Sequence, residues 1–302
     1  MKPEDGRKEL LRKPPWLKRT VPAGATYQEV RRLIEAGGLH TVCREAHCPN
    51  LGECFSRGTA TFLILGDRCT RNCRFCAIAH GPSGPPQADE PERVAGAVEE
   101  MQLDYVVVTS VTRDDLADGG AGIFARTARE IRKRRPGTLV ELLVPDFQGS
   151  AGALETVLES GPDVLNHNVE TVPRLYASVR PAAVYRRSLE LLGRAKERDR
   201  TIVTKSGLML GLGETAEEVL VTFRDLVDAG CEILTIGQYL QPSGEHLPVR
   251  RFIEPEEFER LCAAALRMGF AAAAGGPFVR SSYRARELYE SARSRLSAAA
   301  RE

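Results

Sequence analysis

No run of about 18 apolar residues, the length a membrane-spanning helix needs, occurs in the sequence. Neither sign of charge is in excess. Forty-two Lys and Arg stand against 41 Asp and Glu, a formal charge of +1. That balance gives no electrostatic reason to expect nucleic acid or an anionic membrane as partner. The N-terminus is charged and contains proline, with no apolar core of a secretory signal, so a cytoplasmic protein is expected. Internal repeats are missing. Low-complexity sequence is confined to an Ala-rich turn at Ala271–Ala274 and an Ala/Ser/Arg-rich C-terminus. Tryptophan is represented by Trp16 alone.

What is present is an ordinary apolar share, 42% of 302 residues, enough for one large barrel-type domain or two smaller ones. There are eight cysteines. In a reducing compartment these read as metal ligands or catalytic thiols rather than disulfides. Residues 1–25 are polar and Pro-rich, with seven Lys or Arg against three acids in the first twenty positions. They read as an extended arm in which Trp16 needs a surface to cover it. A helix comes next, with capping-box spacing at Thr26 and Glu29, an apolar stripe at Val30, Leu33 and Ile34, and Gly37-Gly38 as its stop.

From residue 61 strands and helices alternate. Strands are expected at Thr61–Leu65, Tyr105–Thr109, Leu139–Val144, Val164–Asn168, Ile202–Leu208 and Ile233–Tyr239. Helices are expected at Pro91–Met101, Gly122–Arg134, Ala151–Ser160, Ala183–Arg198, Thr215–Val227 and Pro255–Met268. Such spacing fits parallel crossovers, and unbroken apolar strands fit a sheet covered on both faces. Six units are too few for the closed eight-stranded barrel. Polar residues gather after the strands, at Thr109-Ser110, Asn166-His167-Asn168 with Glu170, Lys205-Ser206 and Gln238. Strand C-terminal ends carry the site in parallel α/β folds, although each of these residues could equally cap the next helix.

The most specific stretch is Cys69-Thr-Arg-Asn-Cys73-Arg-Phe-Cys76. Three thiolates at C-x3-C-x2-C can hold three irons of a cubane and leave one iron open for a small molecule. Zinc, or reactive thiols, is the alternative, but zinc sites usually show C-x2-C pairs and four ligands. With Phe75 before the last Cys, the loop resembles the radical S-adenosylmethionine (SAM) superfamily. That resemblance implies a six-unit partial barrel, SAM chelated to the open iron, and Phe75 near the adenine. A second triple, Cys43, Cys48 and Cys54, lies upstream around Pro49, Asn50 and Gly52. Cys231 and Cys262 stand apart and read as small core hydrophobes.

Several stretches together resemble the lipoyl synthase family. They are Cys43…Cys48-Pro-Asn…Glu53-Cys54, Thr59–Gly66, the Cys69–Cys76 loop, Asn166–Thr171, Lys205–Glu214, Gln238–Pro242 and Arg280-Ser-Ser-Tyr283. The likeness covers roughly residues 10–285. It implies a partial (β/α)6 TIM-type barrel over 59–270. An N-terminal arm and auxiliary-cluster loop (1–58) and a C-terminal extension (271–302) would form one lid over the open mouth. It implies two [4Fe-4S] clusters, one on Cys69, Cys73 and Cys76, the other on Cys43, Cys48, Cys54 and Ser282. Without the resemblance, Ser282 would read as a helix cap and Tyr283 as the start of the last helix.

SAM would be met by Thr109, Ser110 and Val111 through backbone oxygens, by Asn168 and Glu170 at the ribose, and by Lys205 at the carboxylate. Arg280 would steady its turn by pairing with a carboxylate. The implied reaction breaks an unactivated C–H bond, which acid–base residues cannot do and a radical cofactor can. A 5′-deoxyadenosyl radical would take hydrogen from a protein-bound octanoyl-lysine, and the auxiliary cluster would give up sulfide to C6 and C8. Implied partners are octanoylated lipoyl carriers (E2 lipoyl domains or the glycine cleavage H protein) and an electron donor such as ferredoxin or flavodoxin. Two other readings remain at this point. One is a different radical SAM sulfur-inserting enzyme, similar to biotin synthase; the other is a zinc-stabilised binding module.

Overall fold

Six apolar runs become neighbouring parallel strands because each is followed by a helix that carries the chain back along the sheet. The computed structural model describes residues 12–18 and 24–299. The strands are β1 Thr61–Ile64, β2 Tyr105–Ser110, β3 Leu139–Leu143, β4 Val164–Asn166, β5 Val203–Leu210 and β6 Ile233–Gln238. The helices after them are α1 Glu90–Glu100, α2 Ala121–Arg134, α3 Ala151–Leu158, α4 Tyr185–Arg198, α5 Ala216–Asp228 and α6 Pro255–Met268. The sheet order matches the sequence order, as in a barrel wall. The expected capping box of α5 is formed in both directions. The Glu218 amide donates to Thr215 Oγ1 at 3.3 Å, and the Thr215 amide to Glu218 Oε2 at 2.8 Å.

A seventh parallel strand, β7 (Ala272–Gly276), extends the sheet beyond β6. This is the Ala-rich stretch expected to be a turn. Its small residues are demanded by packing: a Cβ on Gly275 would lie 2.7 Å from Cys262 Sγ and 3.2 Å from the Phe258 carbonyl. At the other edge the two residues His40–Thr41 pair antiparallel with β1. Among the described residues the two outer edges do not pair with each other, so the wall stays open along one seam. The C-terminal helix Ala285–Ala299 lies beneath the strand starts, where Ala292, Leu288 and Tyr289 pack with Val164, Val203, Ile233 and Ala272.

The N-terminal helix runs Ala25–Ala36 with Gly24 at its cap and no side-chain capping bond, so Thr26 sits inside the first turn instead of capping it. It ends as expected, with the Gly37 amide on the Leu33 carbonyl at 2.9 Å, the Leu39 amide on the Ile34 carbonyl at 3.0 Å, and Gly38 left-handed. Trp16 occupies a short 3-10 turn and remains 37% exposed, while its neighbour Leu17 takes the buried place. The rest of the expected arm, 1–11 and 19–23, lies outside the described residues. No described helix is long and apolar enough to cross a membrane.

Candidate active site: two thiol triples on an open barrel

The Cys69–Cys76 loop leaves β1 and is clamped onto the ends of the next strands. Thr70 donates backbone and hydroxyl hydrogens to the Thr112 carbonyl, at 3.0 and 2.9 Å. Arg71 grips Asp114 with two bonds, at 2.6 and 2.9 Å, and Asp146 with a third at 2.6 Å. The Arg74 amide reaches the Val179 carbonyl at 2.9 Å, and His246 Nε2 lies 3.0 Å from the Cys76 carbonyl. Phe75 is partly buried against the main core. Cys76 lies within electrostatic reach of Cys73 and Cys69, and burial pushes its thiol up to about 12. A free thiolate is therefore disfavoured there, whereas a bound metal deprotonates a coordinating thiol outright.

A cavity of about 140 Å³ opens beside Cys73, lined among others by Thr109, Ser110, Asn168, Glu170 and Arg180. Two polar atoms here are buried without a partner: Ser110 Oγ and Arg180 Nε. Buried polar groups are normally paired, so these two fit a polar ligand such as SAM. Glu170 holds a left-handed φ of +64°, and its carboxyl accepts from Asn168 Nδ2 at 3.1 Å. Burial raises the Glu170 pKa, opposed chiefly by Arg180. Thr109 spends its hydroxyl on the Leu143 carbonyl at 2.8 Å. Val111 is buried in the core and does not line the cavity.

Lys205 is elsewhere. It is the third residue of β5, and its side chain is 1% exposed. Its Nζ donates to both oxygens of Glu141, at 2.9 and 3.0 Å. Glu141 also accepts from Tyr105 Oη at 2.6 Å and Asn166 Nδ2 at 2.7 Å. Val140 and Leu142 belong to the main core, so Glu141 between them faces the barrel interior. The expected carboxylate-binding role of Lys205 is thereby corrected: its charge is already neutralised within the barrel. The cations lining the cavity are Arg71 and Arg180. Arg71 is consumed by two aspartates, which leaves Arg180 facing the ligand space.

Arg180 was not picked out from the sequence. The signal available was its place just before Pro181, which keeps it out of the helix, in the same stretch after β4 as Asn168 and Glu170. His167 is structural. Its Nδ1 lies 2.8 Å from the Val144 carbonyl, which can only accept, and its Nε2 lies 2.9 Å from Ser188 Oγ. Burial lowers its pKa to about 4, so it stays neutral. Gln238 Nε2 serves three carbonyls, and Gln238 Oε1 accepts from the Ile253 amide.

The first triple comes directly after the edge strand His40–Thr41. Thr41 caps the short helix Val42–Glu45 by accepting from the Arg44 amide. Cys54 lies in the helix Leu51–Ser56. Cys43 is buried, within electrostatic reach of Cys48 and Cys54, and burial raises its thiol to about 12. Among the described residues no three His, Cys, Asp or Glu side chains converge to hold a single metal ion. A cubane asks less, since each thiolate meets a different iron.

Beyond β7 the chain turns back to this triple. Asn50 Nδ2 donates to the Phe278 carbonyl at 2.7 Å, Tyr283 Oη to Glu53 Oε1 at 2.9 Å, and Arg57 pairs with Glu287 at 3.1 Å. Cys54 and Ser282 line one cavity of about 380 Å³ with Thr61, Tyr105 and Val107. The two ends of the chain therefore meet along the seam, and the same turn reaches the strand-end side, where Ser281 Oγ donates to Asn168 Oδ1 at 2.8 Å. The last helix begins at Ala285, so Tyr283 belongs to the turn. Arg280 donates to the Val279 carbonyl at 2.7 Å and lies within electrostatic reach of Glu170. Cys231 is buried, and Cys262 packs against the main core.

An open parallel barrel with a three-cysteine loop after its first strand defines a radical SAM enzyme. The sequence model of the radical SAM superfamily matches residues 63–226, and that of the N-terminal domain of lipoyl synthase matches 2–48. The lipoyl synthase of Desulfotalea psychrophila is 59% identical over 280 residues, covering 93% of this chain and 94% of the relative. That of Methylococcus capsulatus is 55% identical over 276 residues, covering 91% and 86%. The chain belongs to the lipoyl synthase family. In fold it resembles HydG, a maturase of the [FeFe]-hydrogenase, with TM-score 0.59, 16% identity and coverage of 89% of this chain and 67% of that one. Methylornithine synthase (PylB) is similar at TM-score 0.52 and 14% identity, covering 84% and 79%. The family places SAM and [4Fe-4S] clusters as cofactors and removes the zinc-module and biotin-synthase-like readings.

Proposed function

We propose that this chain inserts sulfur at C6 and C8 of an octanoyl group on a lysine of a lipoyl-carrier protein, with its auxiliary [4Fe-4S] cluster consumed as the sulfur source. Cys69, Cys73 and Cys76 would hold the SAM-binding cluster. Cys43, Cys48, Cys54 and Ser282 would hold the auxiliary one. With its cofactors bound and reduced, the first centre would supply the radical chemistry that an unactivated C–H bond requires. The protein's own part is to position and to shield. Ser110 and Arg180 supply unpaired donors, the latter for the SAM carboxylate in place of Lys205. Asn168 and Glu170 would face the ribose, and the backbone oxygens of Thr109, Ser110 and Val111 would meet the amino group.

The observation that carries this reading is the meeting of Cys54 and Ser282 at one cavity, from opposite ends of the sequence. We divide the chain functionally into 1–58, 59–270 and 271–302, the first and last each lending a strand to the sheet. The carrier is an E2 lipoyl domain or a glycine cleavage H protein, the reductant a ferredoxin or flavodoxin, and the compartment the cytoplasm. An anaerobic assay with octanoyl-lysyl peptide, SAM and a strong reductant, read by mass spectrometry, is expected to show two added sulfurs. Cleavage of SAM with an unaltered peptide would overturn the assignment.

A further inference from the structure

We propose that Ser281, the residue before the proposed iron ligand Ser282, is a positioning residue that couples the SAM pocket to the auxiliary-cluster turn. The inference rests on the ligand and ribose assignments above. Ser281 Oγ donates to Asn168 Oδ1 at 2.8 Å, and Asn168 Nδ2 donates to Glu170 Oε1 at 3.1 Å. The direction of this chain is fixed by chemistry. A carboxylate only accepts, so it takes the amide's N–H side and leaves the amide oxygen to the serine hydroxyl.

The Asn168–Glu170 end is anchored. The Glu170 amide donates to the Gly207 carbonyl, and the Met209 amide to the Glu170 carbonyl, each at 2.9 Å. Arg180 Nη1 donates to the Asn168 carbonyl at 2.9 Å. Space for the junction is set aside on β5. A Cβ on Gly207 would lie 2.9 Å from Ser281 Oγ, 3.0 Å from Asn168 Oδ1 and 2.5 Å from Thr235 Oγ1. A side chain there would crowd Thr235 and press on the serine–amide contact. Ser281 thus reaches into the barrel, while Ser282 lines the seam cavity with Cys54.

A ribose held by Asn168 and Glu170 fixes the amide that orients Ser281, and so fixes the backbone that presents Ser282. Coupling of this kind is reciprocal: SAM steadies the turn, and a steady turn favours SAM. The test uses the reconstituted two-cluster protein under anaerobic conditions. SAM affinity is measured by equilibrium dialysis, and iron loss from the auxiliary centre by capture with a chelator, with and without SAM. In the unaltered protein SAM slows capture.

In Ser281→Ala the SAM Kd is expected to rise about fivefold, the worth of one hydrogen bond, and the SAM effect on capture to vanish. Ser281→Thr, which keeps the hydroxyl, restores both. Gly207→Ala reproduces the defect with Ser281 intact. If Ser281→Ala sheds its auxiliary iron, SAM affinity alone decides. Wild-type affinity together with SAM-dependent capture in Ser281→Ala overturns the coupling, as does a Thr variant no better than Ala. Two further arms read the underlying assignments separately: unchanged SAM affinity in Glu170→Ala would remove the pocket, and unchanged chelation in Ser282→Ala would remove the ligand.

Discussion

The two thiol triples are alike in number and unlike in support. The loop carrying Cys69, Cys73 and Cys76 is bonded to the segments after β2, β3 and β4, and to the segment after β6 around His246. One of its residues, Arg71, is locked by two carboxylates. The loop carrying Cys43, Cys48 and Cys54 sits on two short helices. Beyond its own turns it is tied by Asn50, Glu53 and Arg57 to the C-terminal segment. The first arrangement suits a centre that must survive every cycle. The second suits one that is spent, because the side chains that close it from the C-terminal segment, Tyr283 and the Arg57–Glu287 pair, lie outside the barrel strands.

The sharpest way to break this contrast is to remove one thiol from each side. Cys73→Ala is expected to abolish SAM cleavage completely, measured as 5′-deoxyadenosine formed anaerobically. Cys48→Ala is expected to keep part of that cleavage while forming no lipoyl product by mass spectrometry. Lipoyl formation by Cys48→Ala would erase the distinction. Arg71→Ala probes the rigid side: it leaves Asp146, 2% exposed, with only Arg187 as a charged partner. A loss of about 3 kcal/mol is expected in urea unfolding, and a change below about 1 kcal/mol would show that the clamp is dispensable.

Ser282→Cys probes the expendable side. Iron prefers thiolate to a neutral oxygen in such a cluster. The variant is therefore expected to retain auxiliary iron and to form lipoyl product more slowly in single turnover. A wild-type rate would refute the release argument. The smallest effect belongs to Tyr283→Phe, which removes one hydrogen bond across the seam. It should cost about 1 kcal/mol, lowering Tm by about 2 °C, with SAM cleavage unchanged.

Much of the barrel was legible because apolar runs and crossover lengths leave few options; all six strand–helix units fall within two residues of expectation. β7 was hidden because Ala and Gly carry no β signal, and its small residues answer to Cys262 and Phe258 on the preceding helix, a packing partner that no local pattern reveals. Lys205 was misplaced because position along a strand says which face a residue takes but not how deep it lies. Only the partner Glu141, two strands away, settles that. The cysteine triples were readable from spacing. That six units leave a barrel open was readable too; which edges flank the seam, His40–Thr41 and β7, was not.

The buried pair has a consequence for traffic through the molecule. Lys205, Glu141, Asn166 and Tyr105 form a charged, hydrogen-bonded floor across the barrel, and the C-terminal helix lies against it where Tyr105 meets Tyr289, with ring centroids 5.9 Å apart. An alkyl chain gains nothing from such a layer, because displacing its hydrogen bonds would strand a buried carboxylate. From the strand-start side the barrel axis is therefore a dead end for hydrocarbon. A long acyl arm is left with the strand-end mouth and the seam that the described strands leave unzipped.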